Sequence, residues 1–149
     1  MTLKIKLKNN IFVHRDFHVS NLMYINNRIG IIDSQDALIG NKAYDLASLI
    51  DDVRFKTSEK LKNRIYNLYI KKEKELNIHH FKNDFEILSI LRNLKIIGIF
   101  TRLSVRDDKK NYLKLIPYAW KLIDMRMGKK FIFQDLKNLL RENFKKRIT

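Results

Sequence analysis

The chain has 149 residues, one domain in length, with 45% hydrophobic residues, no cysteine and a formal net charge of +15. That much apolar material is enough for a core, while the absence of cysteine excludes disulfides and thiolate zinc sites and fits a reducing compartment. No apolar run approaches membrane-spanning length and the start lacks the apolar centre of a signal peptide, so a soluble, cytoplasmic protein without a membrane partner is expected. Lysine outnumbers arginine 21 to 10 and isoleucine and asparagine are abundant, a bias expected of A/T-rich coding sequence. With the basic residues spread along helices and no recognised nucleic-acid module, the charge reads as solvated helix faces, and no specific nucleic acid is expected as a partner.

The first ten residues contain an alternating stretch, Leu3-Lys4-Ile5-Lys6-Leu7-Lys8, enough for one strand with its lysines in solvent. Next comes His14-Arg15-Asp16 with Asn21 five residues after the aspartate, the spacing of a kinase catalytic loop, H-R-D-x-x-x-x-N. Phosphoryl transfer asks a protein for a carboxylate that orients the acceptor hydroxyl and for hard oxygen ligands that hold magnesium against the phosphates. Asp16 fits the first part; Asn21 and Asp33 fit the second. Between those two, the apolar runs 22–25 and 29–32 flank the polar turn Asn26-Asn27-Arg28, a hairpin signal that returns Asp33 to the side of Asn21. Loop, hairpin and aspartate in this order form a compound motif with few accidental matches.

The rest of the pattern is helical. A short helix begins at Asp45, placed to cap it, and runs through Ile50. A second starts at Thr57 or Ser58 and runs to about Asn77, with Leu61, Ile65, Leu68, Tyr69 and Leu76 on one side. Residues 83–104 make a strongly apolar helix at the centre of the core, carrying Phe85, Leu88, Leu91, Ile96, Ile99, Phe100 and Leu103. Asp107 or Asp108 opens another, through Tyr112, Leu115, Ala119 and Leu122 to Met127, with Pro117 kinking or dividing it and Gly128 ending it. The last is a basic amphipathic helix from Gln134 to Lys146. The fold class is α+β, mostly helical, in a single domain: a catalytic loop, hairpin and metal-binding segment over 11–40, then a helical part over 41–149.

These residues resemble the C-terminal lobe of the aminoglycoside phosphotransferase and choline kinase superfamily, whose fold is similar to that of protein kinases. A narrower resemblance, to the bacterial N-acetylmuramate/N-acetylglucosamine kinases, rests on 13–18, 32–38 and Tyr44-Asp45-Leu46-Ala47-Ser48-Leu49. It continues through 93–103, Arg106-Asp107, Tyr112-Leu113 and Pro117, and spans roughly residues 11–125. It implies ATP and Mg2+ as co-substrate and cofactor, a small-molecule amino sugar or aminoglycoside as acceptor, Asp16 as catalytic base, and Asn21 and Asp33 as metal ligands. Ser34 replaces the family's usual phenylalanine after the metal aspartate.

Around that centre, His14 is a hydrogen-bonding brace for the loop, and Arg15 pairs with a nearby carboxylate or lies at the surface. Asp36 either contacts a sugar hydroxyl or caps a turn, and Asp45 is structural. His14 and His18 lack the further ligand a zinc site requires. Tyr118 and Trp120 read as core before they read as a sugar platform. Arg102 and Arg106 either bind an anionic group or are solvated.

A kinase also grips ATP with a glycine-rich loop and a strand lysine paired to a helix glutamate. The four glycines, Gly30, Gly40, Gly98 and Gly128, all follow the catalytic loop. The expectation is therefore a lobe that is inactive alone, completed by an N-lobe encoded separately. The alternatives are a catalytically silent remnant and a basic binding module.

Overall fold

The computed structural model describes residues 7–144 and places two antiparallel two-stranded ladders ahead of five helices. Strand β1 (Ile11–Val13) pairs with β4 (Leu38–Gly40), and β2 (Leu22–Ile25) pairs with β3 (Arg28–Ile31). The strand expected over 3–8 lies largely outside the described residues, and Leu7 and Lys8 are not in a strand. The β1–β4 ladder was not legible in the sequence, because three-residue strands are too short to show a period.

The expected hairpin is present, with Leu22 opposite Ile31 and Ile25 opposite Arg28. Its loop is two residues, not three. Asn26 and Asn27 take φ of 50° and 60°, the left-handed pair of a type I′ turn, whose twist matches that of the strands it joins. Arg28 thereby becomes the first residue of β3. In β1 and β4, Gly40 has a steric reason to lack a side chain, since a Cβ there would lie 2.8 Å from Val13 Cγ2. The two ladders leave apolar side chains in solvent, including Tyr24 at 74%, Ile29 at 66%, and Phe12 and Ile39 at 64% each.

The helices are α1 (Ala43–Ile50), α2 (Glu59–Lys72), α3 (Ile78–Arg106), α4 (Ile116–Met127) and α5 (Gln134–Asn143). Short 3-10 turns occupy Val19–Asn21, Lys110–Leu115 and Phe131–Phe133. Ser58 caps α2 by accepting from the Leu61 amide. This helix ends at Lys72, earlier than its periodicity suggests, and Leu61 and Leu68 are exposed while Ile65, Tyr69 and Leu76 pack inward. Helix α3 is longer than the expected 83–104, and Leu91 lies on its solvent side. Pro117 divides the next segment as expected: it sits in the first turn of α4, where its missing N–H costs nothing. Gly128, at φ 49°, ends that helix. Helix α5 ends at Asn143, and the expected continuation to Lys146 passes beyond the described residues.

Two compact units are present, one ending at Leu88 and the other starting at Ser89, with α3 contributing to each. In the first, Ala43, Leu46, Ala47 and Ile50 of α1 pack with Phe81, Phe85 and Leu88 of α3. Tyr69 stacks on Phe81 at 5.3 Å and Tyr66 meets Phe85 edge-on at 5.1 Å. In the second, Phe100 meets Tyr112 at 4.9 Å, and Ile116, Ala119, Trp120, Leu122, Ile123, Met127, Phe133 and Leu140 are buried. Trp120 and Tyr118 divide accordingly: Trp120 is a core residue touching Phe144, and Tyr118 is half-buried.

Lys62 is a buried cation on α2. Its ammonium lies 2.8 Å from the Asp51 carboxylate and donates to the Ile50 carbonyl, joining α2 to the end of α1. Removing one member of a buried pair costs more than a surface pair can return, because the remaining charge stays desolvated. Lys62→Ala is expected to lower unfolding free energy by about 3–5 kcal/mol, whereas the exposed Lys60→Ala should stay within about 0.5 kcal/mol. Urea midpoints of the two variants check this, and equal midpoints would refute it.

Candidate active site

The loop 14–21 leaves β1 and is held in shape by Asp45, which lies on α1. Its carboxylate accepts from two consecutive backbone amides, His14 N–H to Oδ2 at 2.7 Å and Arg15 N–H to Oδ1 at 3.0 Å. This corrects the expectation that Asp45 caps α1. The helix begins two residues earlier, and the cap is supplied by Asn41, whose Oδ1 accepts from the Ala43 amide at 2.9 Å. Asn41 also donates through Nδ2 to the Lys8 carbonyl and to Asp84 Oδ2 at 2.7 Å. Sequence reading missed it, although an Asn two residues ahead of a helical run is a recognisable cap signal.

The clamp on His14 and Arg15 coincides with a backbone conformation that L-residues seldom adopt, since Arg15 has φ of 73°. The following residue, Asp16, is half-buried. Its carbonyl accepts from the His18 amide at 3.0 Å and from Asn21 Nδ2 at 3.0 Å. His14 is buried and its Nε2 donates to the Ile32 carbonyl at 3.0 Å, tying the loop to the residue before Asp33. A carbonyl only accepts, so Nε2 carries the proton and the ring is a brace, as its position in the motif suggested. Arg15 reaches a carbonyl and not a carboxylate: Nη1 donates to Asp36 O at 3.3 Å.

The hairpin performs the return inferred for it. Ile32 N–H donates to the Asn21 carbonyl at 3.1 Å, and Asn21 Nδ2 lies 3.4 Å from Asp33 Oδ2. Asp33 is exposed and takes φ of 68°, a second left-handed residue beside the loop. Strained backbone persists only where surrounding structure enforces it, and here one instance directly precedes Asp16 and the other is Asp33 itself. Asp16, Asn21 and Asp33 are thus linked in one hydrogen-bonded group. Asp36 is exposed, and only its carbonyl joins the network.

The donor set suits a hard divalent cation. The Asn21 nitrogen is engaged by the Asp16 carbonyl, which leaves the amide oxygen, together with the Asp33 carboxylate, as the available ligand atoms. Magnesium is commonly held by one or two protein oxygens, with water and phosphate completing its shell. A cluster of three or more His, Cys, Asp or Glu side chains, as a protein-only cage would need, does not occur among the described residues. Outside this group, Arg106 is exposed and pairs with Asp107, 2.7 Å from Nε to Oδ1, and that pairing holds the Asp107 carboxyl below its usual range.

A catalytic loop braced at its backbone, followed by a hairpin that brings an aspartate to an asparagine, defines a kinase-like phosphotransferase segment. Residues 3–76 match the profile described as Phosphotransferase enzyme family, and the chain belongs to that family. It is similar to N-acetylmuramate/N-acetylglucosamine kinases from three bacteria. The protein from Caulobacter vibrioides is 33% identical over 120 residues, covering 77% of this chain and 33% of the relative. The Neisseria meningitidis serogroup B protein is 38% identical over 113 residues, 72% and 34% of the two chains. The Pseudomonas aeruginosa protein is 32% identical over 136 residues, 87% and 40%. The chain therefore spans between a third and two fifths of the length of these relatives.

Two charge-assisted bonds at roughly 1.5–3 kcal/mol each make Asp45 the main support of the loop. Asp45→Ala is expected to cost about 3 kcal/mol of stability and to speed amide hydrogen exchange at His14 and Arg15 above that of the rest of the chain. Exchange at those two amides unchanged relative to α1 would refute the bracing role.

Proposed function

We propose that this chain is the metal- and acceptor-binding C-lobe of an ATP-dependent amino-sugar kinase, acting in the cytoplasm. The observation that carries this reading is the junction of Asp16, Asn21 and Asp33, in which one amide links the loop carbonyl to the metal aspartate. The names of the relatives point to N-acetylmuramate or N-acetylglucosamine as acceptor.

In this reading the Asp16 carboxylate accepts a hydrogen bond from the acceptor hydroxyl and takes its proton as the oxygen attacks the γ-phosphorus and the bond to the ADP oxygen breaks. The Asn21 amide oxygen and the Asp33 carboxylate would hold Mg2+, which when bound would supply charge neutralisation at the phosphates. Asp45 positions Asp16 through the backbone. His14 fixes the distance between loop and hairpin. Asp36, beside the Arg15 guanidinium, is assigned to a sugar hydroxyl.

The grip on ATP is assigned to an N-lobe outside these 149 residues. Two observations support this. The 149 residues hold no glycine-rich phosphate loop, and apolar side chains of both ladders stand in solvent, as a surface awaiting a partner would have them.

The purified chain is accordingly expected not to release ADP when given ATP, Mg2+ and N-acetylglucosamine or N-acetylmuramate. A chimaera carrying the segment that precedes the matching stretch in the Neisseria meningitidis relative should phosphorylate one of these sugars in a Mg2+-dependent reaction. Asp16→Ala in the chimaera should lower kcat by roughly 10²–10⁴-fold, and Asp33→Ala should remove the response to Mg2+. Turnover by the chimaera that survives Asp16→Ala would overturn the assignment of the base, and turnover by the chain alone would overturn the need for a second lobe.

A further inference from the structure

The charge of the chain is unevenly distributed. Residues 89–149 carry sixteen Lys and Arg against five Asp and Glu, a net of +11, while residues 1–88 carry fifteen against eleven, a net of +4. Within the basic part, residues 109–132 hold seven of the cations and a single acid, Asp124, which is half-buried.

The structure arranges this stretch around α4. The inward side of the helix is filled by Ile116, Ala119, Trp120, Leu122, Ile123 and Met127. Its outward stripe is Pro117, Lys121 and Met125, spaced by four and all exposed. Leu113 and Lys114 precede that stripe and are exposed; Lys129, Phe131 and Ile132 follow it and are exposed. Phe131 is 90% exposed. Its place is the short turn Phe131–Phe133, where Phe133 is buried and anchors the backbone, so that Phe131 is held outward on a fixed support.

Lysines interleaved with exposed apolar side chains, with no exposed acid between Asp108 and Asp135, match a surface that is negative at its rim and apolar just beneath. That is the boundary of a bilayer containing anionic lipids. Nucleic acid shares the charge but offers aliphatic groups such as Met125, Leu113 and Ile132 nothing to bury against, and its usual phosphate forks are arginines. From this composition and placement we infer that the outward stripe of α4 and the turn after it form a docking face for the surface of an anionic membrane, with Phe131 entering the headgroup layer. Contact is peripheral, since no helix among the described residues is long and apolar enough to cross a membrane. It is independent of the catalytic reading, because none of these residues belongs to the group around Asp16.

Flotation of the full chain with phosphatidylcholine vesicles, with and without phosphatidylglycerol, tests the face at physiological salt. Binding is expected only when phosphatidylglycerol is present. Phe131→Ser should weaken it about tenfold, the share of a phenylalanine leaving water. Lys121→Glu together with Lys129→Glu should weaken it more than about twentyfold, as each lysine near an anionic surface contributes roughly fivefold. All three positions are exposed, and circular dichroism spectra matching the parent chain keep the comparison fair. The inference is overturned by an absence of binding to the anionic vesicles, or by binding that Phe131→Ser leaves intact, which would be charge attraction alone. Tighter binding to single-stranded RNA at the same salt also overturns it.

Discussion

A carboxylate on α1 and two amides at the end of β1 hold the catalytic loop in place. Asp45 accepts from His14 and Arg15 in succession, and two parallel bonds to adjacent peptide units constrain a backbone far more than one bond can. They stabilise a left-handed conformation at Arg15 that an isolated chain would leave at a cost-free opportunity. Because α1 is itself buried through Ala43, Leu46, Ala47 and Ile50 against α3, the rigidity of the first unit's core reaches the loop through a single side chain. Asp16 owes its placement to that connection more than to any contact of its own carboxylate.

The second constraint is the hairpin. Two residues of left-handed asparagine close it, and the register that follows sets Ile32 against Asn21. With His14 donating to the Ile32 carbonyl, loop and hairpin are tied at backbone and side chain alike. Asn21 then serves both sides: its nitrogen holds the loop carbonyl and approaches Asp33. Few elements are needed, because short-range geometry carries the arrangement.

Burial elsewhere departs from ordinary packing in two senses, the first being charged side chains inside, among them Asp51, Asp52, Lys62, Glu86 and Arg92. The Lys62 and Asp51 pair lies inside the first unit, where an apolar pair of the same volume would serve stability as well or better. Ladders β1–β4 and β2–β3 depart in the opposite sense, keeping large apolar side chains in water. Single exposed apolar residues are common, but here they are concentrated on short strands.

Much of this was legible in the sequence. The motif from His14 to Asp33 pointed to the phosphotransferase family, because phosphoryl transfer restricts residue type and spacing and a two-asparagine turn between apolar runs has few structural solutions. Pro117 and Gly128 marked helix limits through covalent geometry alone. What the sequence could not decide was which partners the charged and polar groups would choose. Asp45 stands where a capping residue is plausible, and only the approach of β1 to α1 turns it toward the loop; Asn41 takes the cap because α1 starts earlier than its apolar period implies. Lys62 looks like any lysine on a helix face until the end of α1 covers it. The local motif determined which side chains the loop and hairpin offer, and tertiary contacts between residues some thirty positions apart determined how they are held, since a hydrogen bond depends on where two groups meet and the sequence states only what they are.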